Sequence, residues 1–157
     1  MPLSVGTPAP DFELMLKPGE APLRLSDYLG EKKVVLLFFP LAFSGTCTKE
    51  ICAVAKNYSA WTDLNAEVIG ISIDSPYVNQ KFAEETGAEF PIASDFNKNV
   101  AADYDALLDE VAGMNGVTDR VTYVIGLDGL ISYAWKGEHP GVMPPMDEIL
   151  EAVAKAN

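Results

Sequence analysis

The run Val34-Val35-Leu36-Leu37-Phe38-Phe39 stops at Pro40, and the turn that follows delivers Cys47 onto what reads as a helix N-terminus. Continuous apolar character, rich in β-branched and aromatic residues, suits a central strand covered on both faces. From about Thr46 to Leu64 the apolar positions Cys47, Ile51, Val54, Ala55, Tyr58 and Trp61 recur every three or four residues, so one stripe of a helix faces that strand. Cys47 lies in the first turn of this helix. There the unpaired backbone N–H groups and the positive end of the helix dipole favour a charged sulfur over a neutral thiol. Nucleophilic chemistry follows.

The remaining elements set the fold class. Asp11 to Leu14 and Leu23 to Leu25 alternate like short edge strands, and Ser26 to Gly30 reads as a capped single helical turn. Val68 to Ile73 is a second strand. Ser75-Pro76 supplies an N-cap and first-turn proline for a helix that Gly87 ends. Two strands joined by a helix make a parallel βαβ unit. Phe90 to Ala93 offers a short strand, and Asn97 to Tyr104 a short helix. Val121 to Ile125 turns at Asp128-Gly129 into Leu130 to Ala134 as a hairpin, and Met146 to Ala156 forms a closing helix. This order implies an α/β fold of the thioredoxin kind, with a mixed central sheet, flanking helices and an N-terminal extension.

At 157 residues with 48% apolar content, the chain is expected to form a single domain over 1–157. The formal net charge of −12 argues against nucleic acid and anionic membrane surfaces, which are bound by clustered Lys and Arg. Met1 to Gly6 shows no basic segment leading into an apolar one, and no apolar run approaches the roughly 18 residues of a membrane span. The expected compartment is the cytosol. Two cysteines without an export signal weigh against a structural disulfide framework. Their bland alternative is two small buried apolar residues.

Ser44 stands three residues ahead of Cys47, either as a helix cap or as a hydroxyl that donates to the sulfur or an incoming oxygen. On a helix, Cys47 and Cys52 lie roughly 8 to 9 Å apart at Cα, beyond the disulfide limit near 7 Å. Bridging them requires the first helical turns to unwind, which suits a transient bond better than a structural one.

Pro40-Leu41-Ala42-Phe43-Ser44-Gly45-Thr46-Cys47 resembles the peroxiredoxin signature Pro-x-x-x-Thr/Ser-x-x-Cys. The similarity extends to Gly6 to Phe12, Leu25 to Asp27, Pro91 to Asp95 and Arg120 to Ile125, so it covers nearly the whole chain. Phe39 to Phe43 looks like the alkyl hydroperoxide reductase E type. Cys47 to Cys52 is similar to peroxiredoxin Q, also called bacterioferritin comigratory protein. The resemblance implies a thiol-dependent peroxidase acting on hydrogen peroxide and organic hydroperoxides. Cys47 would be the peroxidatic thiolate and Cys52 the resolving thiol. Pro40 would shield the sulfur, Ser44 would hydrogen-bond the peroxide, and Arg120 would stabilise both thiolate and leaving oxygen. Taken alone, Arg120 reads as a solvated surface residue. Glu50 matches the position that orients this arginine, and equally fits a helix-surface glutamate.

Thioredoxin or a related dithiol protein is the implied reductant, no bound cofactor is required, and the chain is expected to be a monomer or homodimer. Three rivals stand beside this reading. One is a one-cysteine cycle with an external resolving thiol, and another is a redox sensor with the same thiol switch. The third is a copper-binding thioredoxin fold using both cysteines and His139, the one histidine. Phe39, Phe43 and Trp135 read as core or dimer contacts, with an access route for bulky peroxides as the alternative.

Overall fold

The computed structural model describes residues 2–157. Strand β1 (Glu13–Leu14) pairs antiparallel with β2 (Leu23–Arg24), and a 3-10 turn follows at Leu25–Asp27. The main elements are β3 (Lys33–Phe38), α1 (Gly45–Lys56), α2 (Tyr58–Thr62), β4 (Ala66–Ser72), α3 (Pro76–Thr86), β5 (Ile92–Ser94) and α4 (Asn99–Asp103). After them come β6 (Leu107–Val111), β7 (Met114–Thr118), β8 (Val121–Ile125), β9 (Ile131–Lys136) and α5 (Met146–Lys155).

The five-stranded sheet runs β5-β4-β3-β8-β9. Strands β3, β4 and β5 are parallel, whereas β8 is antiparallel to β3 and β9 to β8. Strand β3 is central because both its faces are apolar. Val34, Leu36 and Phe38 enter one core with Phe12, Leu25 and Tyr104. Val35, Leu37 and Phe39 enter the other with Ile51, Val54 and Trp61. Period-two alternation thus divides one strand between two layers. Burying each of these side chains stabilises the fold by roughly 1.5–3 kcal/mol.

Helix α3 forms as its sequence signals require. Ser75 Oγ accepts from Val78 N at 3.2 Å, Pro76 opens the first turn, and Gly87 ends the helix at φ 73°. The expected helix over Thr46 to Leu64 is corrected: it is two helices, broken at Asn57, whose backbone leaves the helical region at φ −117° and ψ 25°. The apolar stripe passes through this break, with Val54 and Trp61 both buried, so the periodicity does not reveal it. Asn is prone to such breaks because its side chain competes for local backbone bonds.

Leu25 belongs to the 3-10 turn rather than to an edge strand, and β5 begins two residues later and ends one residue later than its sequence signal. The β6–β7 ribbon had no sequence expectation. It turns at Ala112 (φ 50°) and Gly113 (φ 84°), two positive φ values that match the strand-twisting primed turn. Exposed Asp109 and Glu110 disguise it as loop.

Leu36→Ala should cost about 2–5 kcal/mol, because its cavity opens in the wholly buried β3. Met114→Ala, on the exposed ribbon, should cost under about 1 kcal/mol. Urea unfolding followed by tryptophan fluorescence measures both; equal losses would contradict the layered core described above.

Candidate active site

Strand β3 ends at Phe38, and the next residues are tied to the sheet before they turn. Phe39 N donates to Ile71 O at 3.0 Å, and Thr118 Oγ1 donates to Phe39 O. Pro40 is buried. Ala42 has negative φ and Phe43 positive φ (69°), and Ser44 N reaches back to Leu41 O at 3.4 Å, the pattern of a type II turn. Ser44 then occupies the N-cap of α1 through its backbone, its carbonyl accepting Thr48 N at 2.9 Å and Thr48 Oγ1 at 2.8 Å. Its hydroxyl donates to Leu41 O at 2.9 Å and caps no helical N–H. The N–H groups of Gly45, Thr46 and Cys47 make no hydrogen bond to the described residues.

Cys47 is fully buried in this first turn. The sulfur faces the start of β8, where Arg120 is 2% exposed and not a solvated surface residue. All three edges of its guanidinium are used. Nη2 donates to Cys47 Sγ at 3.1 Å, Nη1 to Glu50 Oε1 at 2.5 Å, and Nε to Pro140 O at 2.7 Å. Asp119 fixes the backbone beside it, one oxygen accepting Arg120 N at 2.8 Å and the other bridging Lys136 at 3.2 Å. Burial opposes the guanidinium charge, but Glu50 and Cys47 outweigh burial and raise its proton affinity above the ordinary value. Cys47 and Glu50 share the inner face of α1 at helical spacing, so one arginine meets both.

Glu50 is wholly buried and not a helix-surface residue. Burial pushes its carboxyl up from 4.5 to about 7, with Arg120 pulling the other way. Its Oε2 has no hydrogen-bond partner among the described residues. The trio therefore combines one permanent cation, one ionisable sulfur and one acid that titrates near neutrality.

Cys52 is half-buried and unpaired in the same helix. His139 is exposed, with Nδ1 accepting Gly141 N at 3.1 Å, and lies outside this trio. Phe39 is core, its ring 5.6 Å from that of Phe82, whereas Phe43 is half-exposed with its ring 5.1 Å from Phe82. Trp135 is half-buried on β9. Sequence reasoning missed Asp74, whose Oδ2 accepts Ala42 N at 2.7 Å, and Pro140, whose carbonyl holds Arg120. Asp74 follows the C-terminal end of a parallel strand beside β3, and that position was the available signal, since sites gather at such strand ends.

The AhpC/TSA family model matches residues 5–134, and the chain belongs to that family. It is similar to a protein named 2-cysteine peroxiredoxin, chloroplastic, of Chattonella marina var. antiqua, with 32% identity over 85% of this chain and 71% of that protein. A Drosophila melanogaster protein named thioredoxin-dependent peroxide reductase, mitochondrial, is 33% identical over 95% of this chain and 65% of its own length. Among solved structures, peroxidoxin BcpB of Mycobacterium tuberculosis superposes with a TM-score of 0.83 at 31% identity, covering 95% of each chain. The reduced 2-Cys peroxiredoxin of Plasmodium vivax gives 0.83 at 27% identity, covering 97% of this chain and 81% of that one. These findings bear out the thioredoxin-like fold and the peroxiredoxin class of thiol peroxidase.

Arg120→Lys keeps a charge but loses the planar fork, so iodoacetamide should alkylate Cys47 about tenfold more slowly near neutral pH. An unchanged rate would leave the arginine without influence on the sulfur. Glu50 holds its proton more tightly in the folded chain than in the unfolded one. Its contribution to stability is therefore fully present below 4.5 and is lost as pH rises through about 7. Urea midpoints across that window should carry this downward component in the wild type and lose it in Glu50→Gln.

Proposed function

We propose that the chain, acting as one domain, reduces peroxides through Cys47, is resolved internally by Cys52, and is recycled by thioredoxin or a similar dithiol protein. The observation that carries this reading is the 3.1 Å bond from Arg120 Nη2 to Cys47 Sγ in the first turn of α1, because it sets a fixed positive charge on a sulfur at the electropositive end of a helix.

The Cys47 thiolate attacks the terminal peroxide oxygen. An S–O bond forms as the O–O bond breaks, sulfur is oxidised, and the departing oxygen carries the electron pair and takes a proton to leave as water or alcohol. Arg120 holds the thiolate and then the charge growing on the leaving oxygen, with donors already in place. Ser44 Oγ commits its proton to Leu41 O, so its oxygen is ready to accept from the peroxide O–H. Pro40, buried beneath the turn, keeps water from the sulfur.

The Cys52 thiol then attacks the Cys47 sulfenic acid, forming an S–S bond and releasing water. A dithiol donor reduces that bond by exchange and is itself oxidised to a disulfide. The relative named thioredoxin-dependent peroxide reductase supports this choice of donor. Two unpaired cysteines suit a reducing compartment such as the cytosol. The relatives named above are chloroplastic and mitochondrial, and among the described residues no helix is long and apolar enough to cross a membrane.

Reduced protein treated with one equivalent of hydrogen peroxide should lose both free thiols and two hydrogens of mass, and Cys47→Ser should lose neither. Gain of one oxygen with Cys52 still free would replace internal resolution by a one-cysteine cycle. No rapid change in mass would overturn the peroxidase reading.

A further inference from the structure

We propose that Asp74 is a positioning residue whose carboxylate clamps the Leu41–Ser44 turn and so sets the balance between peroxide attack and disulfide formation; this rests on the thiol cycle proposed above. The turn is poorly supported by itself. Its closing bond, Ser44 N to Leu41 O, is long at 3.4 Å. Phe43, which carries a side chain, adopts the left-handed conformation that favours glycine, and is half-exposed. Among the described residues, the one hydrogen bond reaching the Leu41–Ser44 backbone from outside the turn and α1 comes from Asp74, whose Oδ2 accepts Ala42 N at 2.7 Å.

The other end of this clamp is rooted in the sheet. Ser72 Oγ donates to the same Asp74 Oδ2 at 2.8 Å, and Ser94 Oγ donates to Asp74 O at 2.6 Å. Ser72 ends β4 and Ser94 ends β5, and the two residues face each other in the parallel register. Asn79 extends the network, its Oδ1 lying 3.0 Å from Ser72 Oγ and its Nδ2 donating to Ala93 O at 3.1 Å. Ser72, Asn79 and Ser94 are all buried, so the carboxylate is held by rigid elements and passes that rigidity to Ala42.

The two chemical steps make opposite demands on the segment that Asp74 holds. Attack needs Cys47 in the first turn of α1, beside Arg120. Resolution needs Cys47 and Cys52 to close from the roughly 8 to 9 Å of a helix to within about 7 Å, which the intact first turns forbid. A bond that fixes the turn favours attack and delays resolution. Releasing it does the reverse.

The test loosens the same clamp in two ways. Asp74→Ala deletes the acceptor of the Ala42 N–H. Ser72→Ala removes the hydroxyl that donates to the same Asp74 Oδ2 and leaves the turn sequence intact. Asp74→Asn keeps an oxygen that accepts from Ala42 N. Each protein is mixed rapidly with hydrogen peroxide, quenched over time, and read by intact mass, dimedone labelling of the sulfenic acid and free-thiol count.

Asp74→Ala should slow Cys47 oxidation about tenfold and speed the sulfenic-to-disulfide step severalfold, Ser72→Ala should move both rates in the same directions by less, and Asp74→Asn should stay close to wild type. Should Asp74→Ala fail to fold, the Ser72→Ala and Asp74→Asn pair decides. Rates that stay unchanged, fall together, or move in opposite directions in Asp74→Ala and Ser72→Ala would overturn the proposal. A wild type oxidised at Cys47 without forming a disulfide would instead overturn the resolving role of Cys52, and the attack rates of the variants would still decide whether Asp74 positions the sulfur.

Discussion

The guanidinium of Arg120 is the junction on which the site depends. It is buried, and its donors meet α1 twice, at Cys47 and Glu50, and the segment before α5 once, at Pro140. A buried cation is costly to strip of water and is stable only when its donors are matched. Here each edge has an acceptor, two from α1 and one from the loop before α5, so the helix that carries the sulfur, the start of the strand that carries the cation and that loop are mutually fixed. Glu50 is the adjustable member. Burial leaves its carboxyl titrating near neutrality, so the charge that Arg120 meets from this residue changes with one proton.

That junction can form because β3 serves two layers at once. Its alternate side chains anchor the N-terminal segment on one face and the helices on the other, which holds β4 and β8 on its two sides. Strand β8 then delivers Arg120 to the end of the sheet where β3 and β4 release their loops. Cys47 arrives there from the loop after β3, and Asp74 from the loop after β4. The thiol, its cation and the clamp on its turn are thus contributed by adjacent strands, and their separation in sequence is irrelevant to their meeting.

The legible parts of the sequence were those whose signal is local. The apolar run ending at Pro40 gave β3 and its turn, and Ser75-Pro76 with Gly87 gave both ends of α3. Asn57 was illegible because the apolar stripe of α1 continues into α2, and the β6–β7 ribbon because exposed Asp109 and Glu110 interrupt the apolar pattern of its first strand. Within the site, the motif around Cys47 was visible from spacing. The burial of Arg120 was not, since an arginine before a strand carries no mark of the carboxylate and sulfur waiting for it. Asp74 carries only the positional signal of a parallel strand end, because its partner is a backbone N–H that any residue other than proline could supply.

The sulfur and the arginine that holds it are 73 residues apart along the chain. Chain closure over such a span comes late, after local helices and the β3–β4 pairing are available. While the polypeptide is being made, Cys47 emerges well before Arg120 and has no cation beside it until β8 joins β3. The Arg120–Cys47 bond is a property of the finished sheet, and an incomplete or misassembled chain lacks it.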